Sequence, residues 1–525
     1  MRARWPSLLL VAVLSFFLGG WLLGRGIAND TQRGARLFDD VMARVSDAYV
    51  DSLPPAELYE RAAKGLVRSL DDPYTALLQG ADFRDLRENT SGNFSGIGIQ
   101  IDVRDGWITV VAPLPETPAE RAGLGTGDRV VEVDGASTEG WNGDQALRHL
   151  RGPAGTKVRV GVRHPGQTTT VTYELTRAEI HVRSVTPGVL LDGGVGYVAL
   201  NPVADSSSDE LEAEVARMVA AGAKSIVLDL RNNPGGLLTE GVKVSDLFLD
   251  QGQVVLSTRG RAPGTTQSWS DEAPQRWPDL PLVVLVNEGT ASAAEIIAGA
   301  LQDHDRAVLV GDSTYGKGLV QTVYDLGDST ALKITTSRWY TPSGRLIQKA
   351  HAIDSVLSDT ARVARDTVVH HTDAGRRVLG NGGIVPDIHV ADQTIGAGAR
   401  KLAEALGSRF GDFRDVTTAY ALETRQQGSL RTEAFTVTPA MRAAIRTRLA
   451  ARGVRIDDAT WANGSALVDL WLGADLSRYV FGREAELRRR RATDPQLQAA
   501  LTLLRGATTP QALLRSLAPD STVRR

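Results

Sequence analysis

The stretch Leu280–Gly318, LPLVVLVNEGTASAAEIIAGALQDHDRAVLVGDSTYGKG, decides the fold. It opens on a continuous apolar run, LVVLV, of the kind expected for a strand buried on both faces. A turn follows, then AAEIIAGALQD at helical length, then a second apolar run, AVLV. Strand, helix and strand with short connections form a βαβ unit, whose strands run parallel and whose functional loops lie at the strands' carboxyl ends. Working outward, GVGYVAL (194–200), the helical SSSDELEAEVARMVAAG (206–222) and KSIVLDL (224–230) repeat the rhythm upstream. Downstream, ALKITTSRWYTPSG (331–344) adds strand material.

The chain has 525 residues, enough for about three or four domains. Apolar residues make up 42% and charged residues 23%, an ordinary globular balance. The net charge of −3 argues against a nucleic-acid partner held by overall charge. There is no cysteine, which removes disulfides, thiolate catalysis and Cys-ligated metals. Of the 59 basic residues 51 are arginine.

Residues 5–24, WPSLLLVAVLSFFLGGWLLG, are uncharged and follow Arg2 and Arg4. As a helix they would span about 30 Å, a bilayer's hydrocarbon thickness. The expectation is a transmembrane helix in the inner membrane, single-pass, with the remainder on the periplasmic side of a bacterial envelope. A cleaved signal ending near Gly26-Ile27-Ala28 is the alternative. The expected domains are 1–28 (anchor or signal), 29–92 (helical), 93–178 (short strands bounded by Gly and Pro, with two short helices, a compact barrel), 179–395 (α/β core) and 396–525 (helical, Arg/Ala/Leu-rich). That last region reads as a packing or partner-binding appendage.

Three glycine-rich strand ends remain to be explained: DLRNNPGG (229–236), NEGTASAAE (287–295) and GDSTYGKG (311–318). The third matches G-x-x-x-x-G-K, but Gly318 stands where a phosphate-binding loop needs Ser or Thr to hold Mg²⁺. No Gly-x-Ser-x-Gly surrounds Ser292, which disfavours an ordinary α/β-hydrolase. Ser292 lies between strand and helix, where free backbone N–H groups can stabilise an oxyanion. Lys317 follows the next strand. A buried lysine can lose its proton and act as a general base, whereas arginine stays protonated. None of the eight histidines forms a spaced metal pair, and His304 alone lies near the core strand ends. Neither a metal nor a cofactor is expected.

With FSGIGIQI, LDLRNNPGG, NEGTASAAEIIAGALQD, GDSTYGKGLVQT, TTSRWYTPSGRLIQ and GGIVPDI in order, the chain resembles the carboxyl-terminal processing peptidases, or tail-specific proteases. The resemblance implies a multidomain mixed α/β serine-protease core with an inserted PDZ domain, a helical N-terminal region and a helical C-terminal extension. It implies Ser292 as nucleophile, Lys317 as general base, Gln321 as the group orienting the lysine amine and Glu295 in a supporting role. The oxyanion donors would be the N–H of Gly235 or Gly236 and that of Ala293. Ala294 and Tyr315 depart from the more usual Ser and Phe without touching those roles. The PDZ loop Ser95-Gly96-Ile97-Gly98 would bind a substrate's free carboxyl end, with Ile99 and Ile101 forming an apolar pocket. Expected partners are unstructured C-terminal tails, and an adaptor or second copy through the C-terminal helices. An inactive PDZ scaffold is the rival reading.

Overall fold

The computed structural model describes residues 32–349, 369–380, 382–391 and 396–517. They fall into two compact units. In the first, helices span 32–48 and Pro55–Arg68. Proline begins the second helix, where its missing N–H costs no bond, and Glu57 and Arg68 complement the dipole at either end. Ala76–Gln79 then pairs antiparallel with residues 330–333.

At the centre of the second unit lies a six-stranded sheet: β1 (Val185–Leu191), β2 (Val195–Leu200), β3 (Ser225–Asp229), β4 (Leu282–Val286), β5 (Val308–Gly311) and β6 (Ile388–His389), in that spatial order. The β1–β2 pair is antiparallel and the others are parallel. Every residue of β3, β4 and β5 is buried, as expected of strands covered on both faces. Helices α1 (Ser207–Ala220), α2 (Leu238–Asp246) and α3 (Ala293–Asp303) contribute to the core on one face, with Leu211, Val244 and Ile297 packed around Leu228 and Val284. All eleven residues of α3 are buried. Its small side chains permit this, since a Cβ on Gly299 would already stand 3.1 Å from Ile384 and Thr341.

Residues 93–178 form a separate antiparallel sheet of Ile99–Arg104, Trp107–Pro113, Arg129–Val133, Lys157–Arg163 and Val171–Thr176, with residues 136–137 at one edge. The helix Gly143–Leu150 is opened by a reciprocal cap between Asn142 and Gln145. Asn93–Gly96 pairs with Ala178–His181, so the module's two ends leave through one short ribbon, as an insertion requires.

The C-terminal helices have their own core around Leu402, Phe413, Ile445 and Leu472, and they reach two other parts of the unit. Helix α4 (Phe410–Gln427) meets the hairpin of the inserted module, where Arg414 pairs with Asp102 and the Asp105 N–H donates to Asp415 at 3.1 Å. Arg452 pairs with Asp105 at 2.6 Å. Helix α5 (Pro495–Leu504) covers the second face of the central sheet, packing Leu497, Ala500 and Leu504 among Val227, Val283, Leu285 and Val310. An Ala/Leu pattern alone does not distinguish such a layer from a free appendage.

The expected transmembrane helix and single-pass attachment need correction. Among the described residues no helix is long and apolar enough to cross a membrane. Residues 5–24, on which both expectations rested, lie outside the described residues. Both are withdrawn.

Candidate active site

Strands β3, β4 and β5 are hydrogen-bonded neighbours running the same way, so the loops at their carboxyl ends lie side by side. These are the three glycine-rich segments. Asn287 ties two of them together. Its side-chain oxygen accepts the N–H of Asn232 at 2.8 Å and of Gly289 at 3.0 Å. Thr290 completes the turn by donating its hydroxyl to Leu230 O at 2.8 Å.

Ser292 begins α3 with φ 53° and ψ −117°, a strained backbone for a residue with a side chain and one associated with functional turns. The strain is held by Glu295. Its Oε2 accepts the N–H of Ser292 at 2.8 Å and that of Lys317 at 2.9 Å. Its Oε1 accepts the Gly316 N–H at 2.7 Å and the Thr314 hydroxyl at 2.5 Å. The carboxyl is wholly buried. Burial pushes its pKa up, and the bonds from Thr314, Lys317, Gly316 and Ser292 act against that rise by favouring the ionised form. One buried acid therefore fixes the backbones of both candidate dyad residues.

The Lys317 loop is also held from outside. Its carbonyl accepts the buried Trp339 indole N–H at 2.9 Å. Gly318 N–H donates to Gln348 at 2.9 Å, and Ile384 N–H donates to the Thr314 hydroxyl at 2.7 Å. Gly316 has φ +84°, and a Cβ there would meet that of Lys349 at 2.6 Å, which excludes a side chain. Arg345, fully buried, pairs with Asp303 and donates to Gln302 at 3.1 Å, locking the 341–345 turn onto α3. Thus the TTSRWYTPSGRLIQ and GGIVPDI segments buttress the lysine loop. Gln321 lies on the strand leaving that loop, Leu319–Gly327.

Gly235 lies directly against the start of α3. A Cβ on it would be 2.5 Å from Ala291 O and 2.7 Å from Ala293 N. Its N–H is occupied, donating to Asn233 Oδ1 at 2.9 Å. Gly236 is equally close-packed, with a hypothetical Cβ 1.9 Å from Val203 O. The structure therefore brings Ser292, Glu295, Ala293, Gly235, Gly236 and the Lys317 backbone together. It sends His304 elsewhere. That residue caps the far end of α3, with Nε2 on Val254 O at 2.8 Å and Nδ1 on Asp373 at 2.7 Å. Thr314, Asn233 and Trp339 were not singled out from the sequence. Each lies in or beside a segment the sequence marks, but has a partner distant along the chain: Glu295 for Thr314, Leu200 for Asn233 and Lys317 for Trp339.

In the inserted module, Gly96, Ile97, Gly98, Ile99 and Ile101 line one depression with Phe94, Leu147, Leu150 and Arg151. Ile97 is 2% exposed and belongs to the module's core. Gly98 has φ +81°, and a Cβ there would overlap Thr117 at 2.3 Å. The carbonyls of Ser95, Ile97 and Gly98 are taken by Gly152, Ala119 and Leu114 N–H groups. Arg151, also not anticipated, pairs with Glu88 and stands 5.0 Å over the Phe94 ring.

A parallel α/β core with a strained serine at a strand–helix junction, beside glycine-rich neighbouring loops and carrying an inserted antiparallel module, has the architecture of a class of serine peptidase. Residues 194–359 match the model of peptidase family S41, and residues 109–164 match that of the PDZ domain. The carboxy-terminal-processing protease of Bartonella bacilliformis is 36% identical over 324 residues, covering 61% of this chain and 74% of that protein. The carboxyl-terminal-processing protease of a Picosynechococcus species is 39% identical over 297 residues, covering 56% and 71%. Among solved structures, a photosystem II D1 C-terminal processing protease is 30% identical, covering 66% of this chain and 85% of that one, with a TM-score of 0.36. The chain belongs to peptidase family S41, the carboxyl-terminal processing serine peptidases, and is a peptide-bond hydrolase.

Proposed function

We propose that this peptidase hydrolyses exported proteins at unstructured carboxyl-terminal tails, through a Ser292–Lys317 dyad and an acyl-enzyme. The observation that carries the dyad is the Glu295 carboxylate, whose Oε2 accepts the backbone N–H of both residues. In the reaction, neutral Lys317 takes the hydroxyl proton as Ser292 Oγ attacks the scissile carbonyl carbon. The C–O bond forms and the carbonyl oxygen becomes an oxyanion facing backbone N–H donors. Ala293 supplies one donor. Gly236 is assigned the other, because the Gly235 N–H already serves Asn233. The lysine ammonium returns its proton to the departing amine as the C–N bond breaks. Water, deprotonated by the same lysine, then cleaves the ester. Gln321 orients the lysine amine.

The PDZ depression lined by Ile97, Ile99, Ile101 and Leu147 is assigned the tail's last side chain. The segment Ser95–Gly98 receives the terminal carboxylate on backbone N–H groups, the carbonyls of Ser95, Ile97 and Gly98 being already taken. The domains follow the same division: N-terminal helices, PDZ insert, α/β core and C-terminal helices.

The test is cleavage of an unfolded reporter with an apolar tail. Ser292→Ala and Lys317→Ala should each abolish turnover, and a fluorophosphonate should label the parent but not Ser292→Ala. A C-terminally amidated reporter should be cleaved more slowly through a raised KM. Turnover by Ser292→Ala at the parent rate would refute the dyad.

A further inference from the structure

The C-terminal helices meet the catalytic core at the base of the oxyanion-side loop. Asp229 ends β3 and is 7% exposed. It accepts the Tyr197 hydroxyl at 2.6 Å and the Arg231 guanidinium at 2.6–3.1 Å. The Arg231 fork continues outward, reaching the Asp494 carboxylate at 2.8 Å and Gln496 Oε1 at 3.0 Å. Gln496 is fully buried and its Nε2 donates to Val390 O at 2.8 Å, beside β6. One turn earlier, the Arg491 guanidinium lies 3.7 Å from the centre of the Tyr197 ring. Asp494 and Gln496 at the start of α5, and Arg491 in the preceding helix Arg483–Ala492, thus converge on one Tyr–Asp–Arg cluster.

From that cluster the chain runs straight into the loop. Arg231 N–H closes a turn onto Asp229 Oδ1 at 3.0 Å, and Asn233 N–H returns to Leu230 O at 3.2 Å. Asn233 then does three things. Its Oδ1 takes the Gly235 N–H, its Nδ2 donates to Leu200 O at 2.7 Å, and its carbonyl accepts the Ala291 N–H at 2.9 Å, beside Ser292. Arg231 joins this series to the C-terminal helices, and a planar fork holding Asp229, Asp494 and Gln496 has little freedom.

We propose that Asp494 and Gln496 are positioning residues for catalysis: by fixing the Arg231 guanidinium, they set the turn that orients the Gly235–Gly236 backbone toward the oxyanion. The proposal rests on the assignment of Ser292 and Gly236 above. It gives the C-terminal helices a part in the chemistry of the acyl step without contact with substrate.

Asp494→Asn is the discriminating variant. Asp494 also caps α5 by accepting the Leu497 N–H at 3.0 Å. Asparagine caps as well as aspartate, so the helix is kept while the charge opposite Arg231 is removed. With kcat expressed per fluorophosphonate-reactive serine, it should fall roughly fivefold to tenfold, with KM for the tailed reporter and the thermal midpoint unchanged. Asp494→Glu should recover most of the loss. Arg231→Lys, which retains a charge for Asp229 but cannot span all three acceptors, should show the same split. Unchanged kcat in both Asp494→Asn and Arg231→Lys overturns the proposal. So does a change confined to KM, or a lowered thermal midpoint with kcat per reactive serine intact. Ser292→Ala tests the underlying assignment separately: if it still cleaves, that assignment fails whatever Asp494 does.

Discussion

The carboxylate of Glu295 accepts the backbone N–H of Lys317 across 22 residues of sequence at 2.9 Å, through the same oxygen that binds Ser292 N–H. An amide cannot reproduce this, because one of its two faces presents hydrogens. Glu295→Gln should leave at least one pair of buried donors without an acceptor and cost at least about 2 kcal/mol of stability. Chemical denaturation measures the loss. Fluorophosphonate labelling should slow in parallel, because the backbones of both proposed dyad residues relax together. A variant as stable and as reactive as the parent would contradict this role.

Gly236→Ala should be more damaging to activity than its single methyl suggests. The Cβ would stand 1.9 Å from Val203 O, and φ is +153°, so the loop must move. With Gly236 N–H in the proposed role of oxyanion donor, its loss lowers kcat by about 100-fold or more, and reporter hydrolysis should show a fall of that order. Gly125→Ala provides the comparison, since no atom lies within 4 Å of its added methyl, and should be silent.

The PDZ hairpin is held to the C-terminal helices by charge. Burial works against ionisation of Asp105, but Arg452 and Arg129 outweigh it and hold its carboxyl below the usual range. A carboxyl lowered in this way stabilises the fold above its unfolded pKa, and the contribution is lost as pH falls through the folded value. Arg452→Met should cost roughly 1 kcal/mol at low salt and less in 1 M salt, where such pairs are screened. Faster hydrogen exchange over residues 99–113 is the expected readout. Equal effects at both salt concentrations would count against an electrostatic hold.

Asp246, at the end of α2, sets a pH dependence of opposite sign. Burial, then the charges of Asp271 and Glu272, push its pKa up to about 7. Its Oδ1 and the Asp271 Oδ2 are both buried without a hydrogen-bond partner among the described residues. The folded state therefore favours the protonated acid, and stability falls as pH rises from the unfolded carboxyl range through about 7. Asp246→Asn should raise the thermal midpoint at pH 8 and change it little at pH 4. Thermal scans across that range would show an unchanged slope if Asp246 were not the titrating group.

The βαβ core was readable because a strand buried on both faces must be apolar throughout, as LVVLV and SIVLD are. The loops carrying Ser292 and Lys317 stood out in the sequence because a strand–helix junction and a glycine-flanked lysine are local features. The C-terminal helices were legible as helices but not as a layer. Leu497 and Leu504 repeat at helical spacing whether they face a neighbouring helix or the far side of a sheet.

By itself, the sequence determined the α/β class, the peptidase family and the three loops that meet at the site, because each depends on short-range pattern. Only the tertiary structure decided which groups hold those loops: Glu295 between Ser292 and Lys317, Asn233 on Leu200, Trp339 on Lys317, and Asp494 on Arg231. Each is a hydrogen bond whose geometry arises from packing several elements at once. A buried acid or a forked arginine looks the same in sequence whether it organises a catalytic loop or only satisfies a neighbour. The partner across the fold settles the matter, since an unmade bond in the interior costs more than any local preference of the chain.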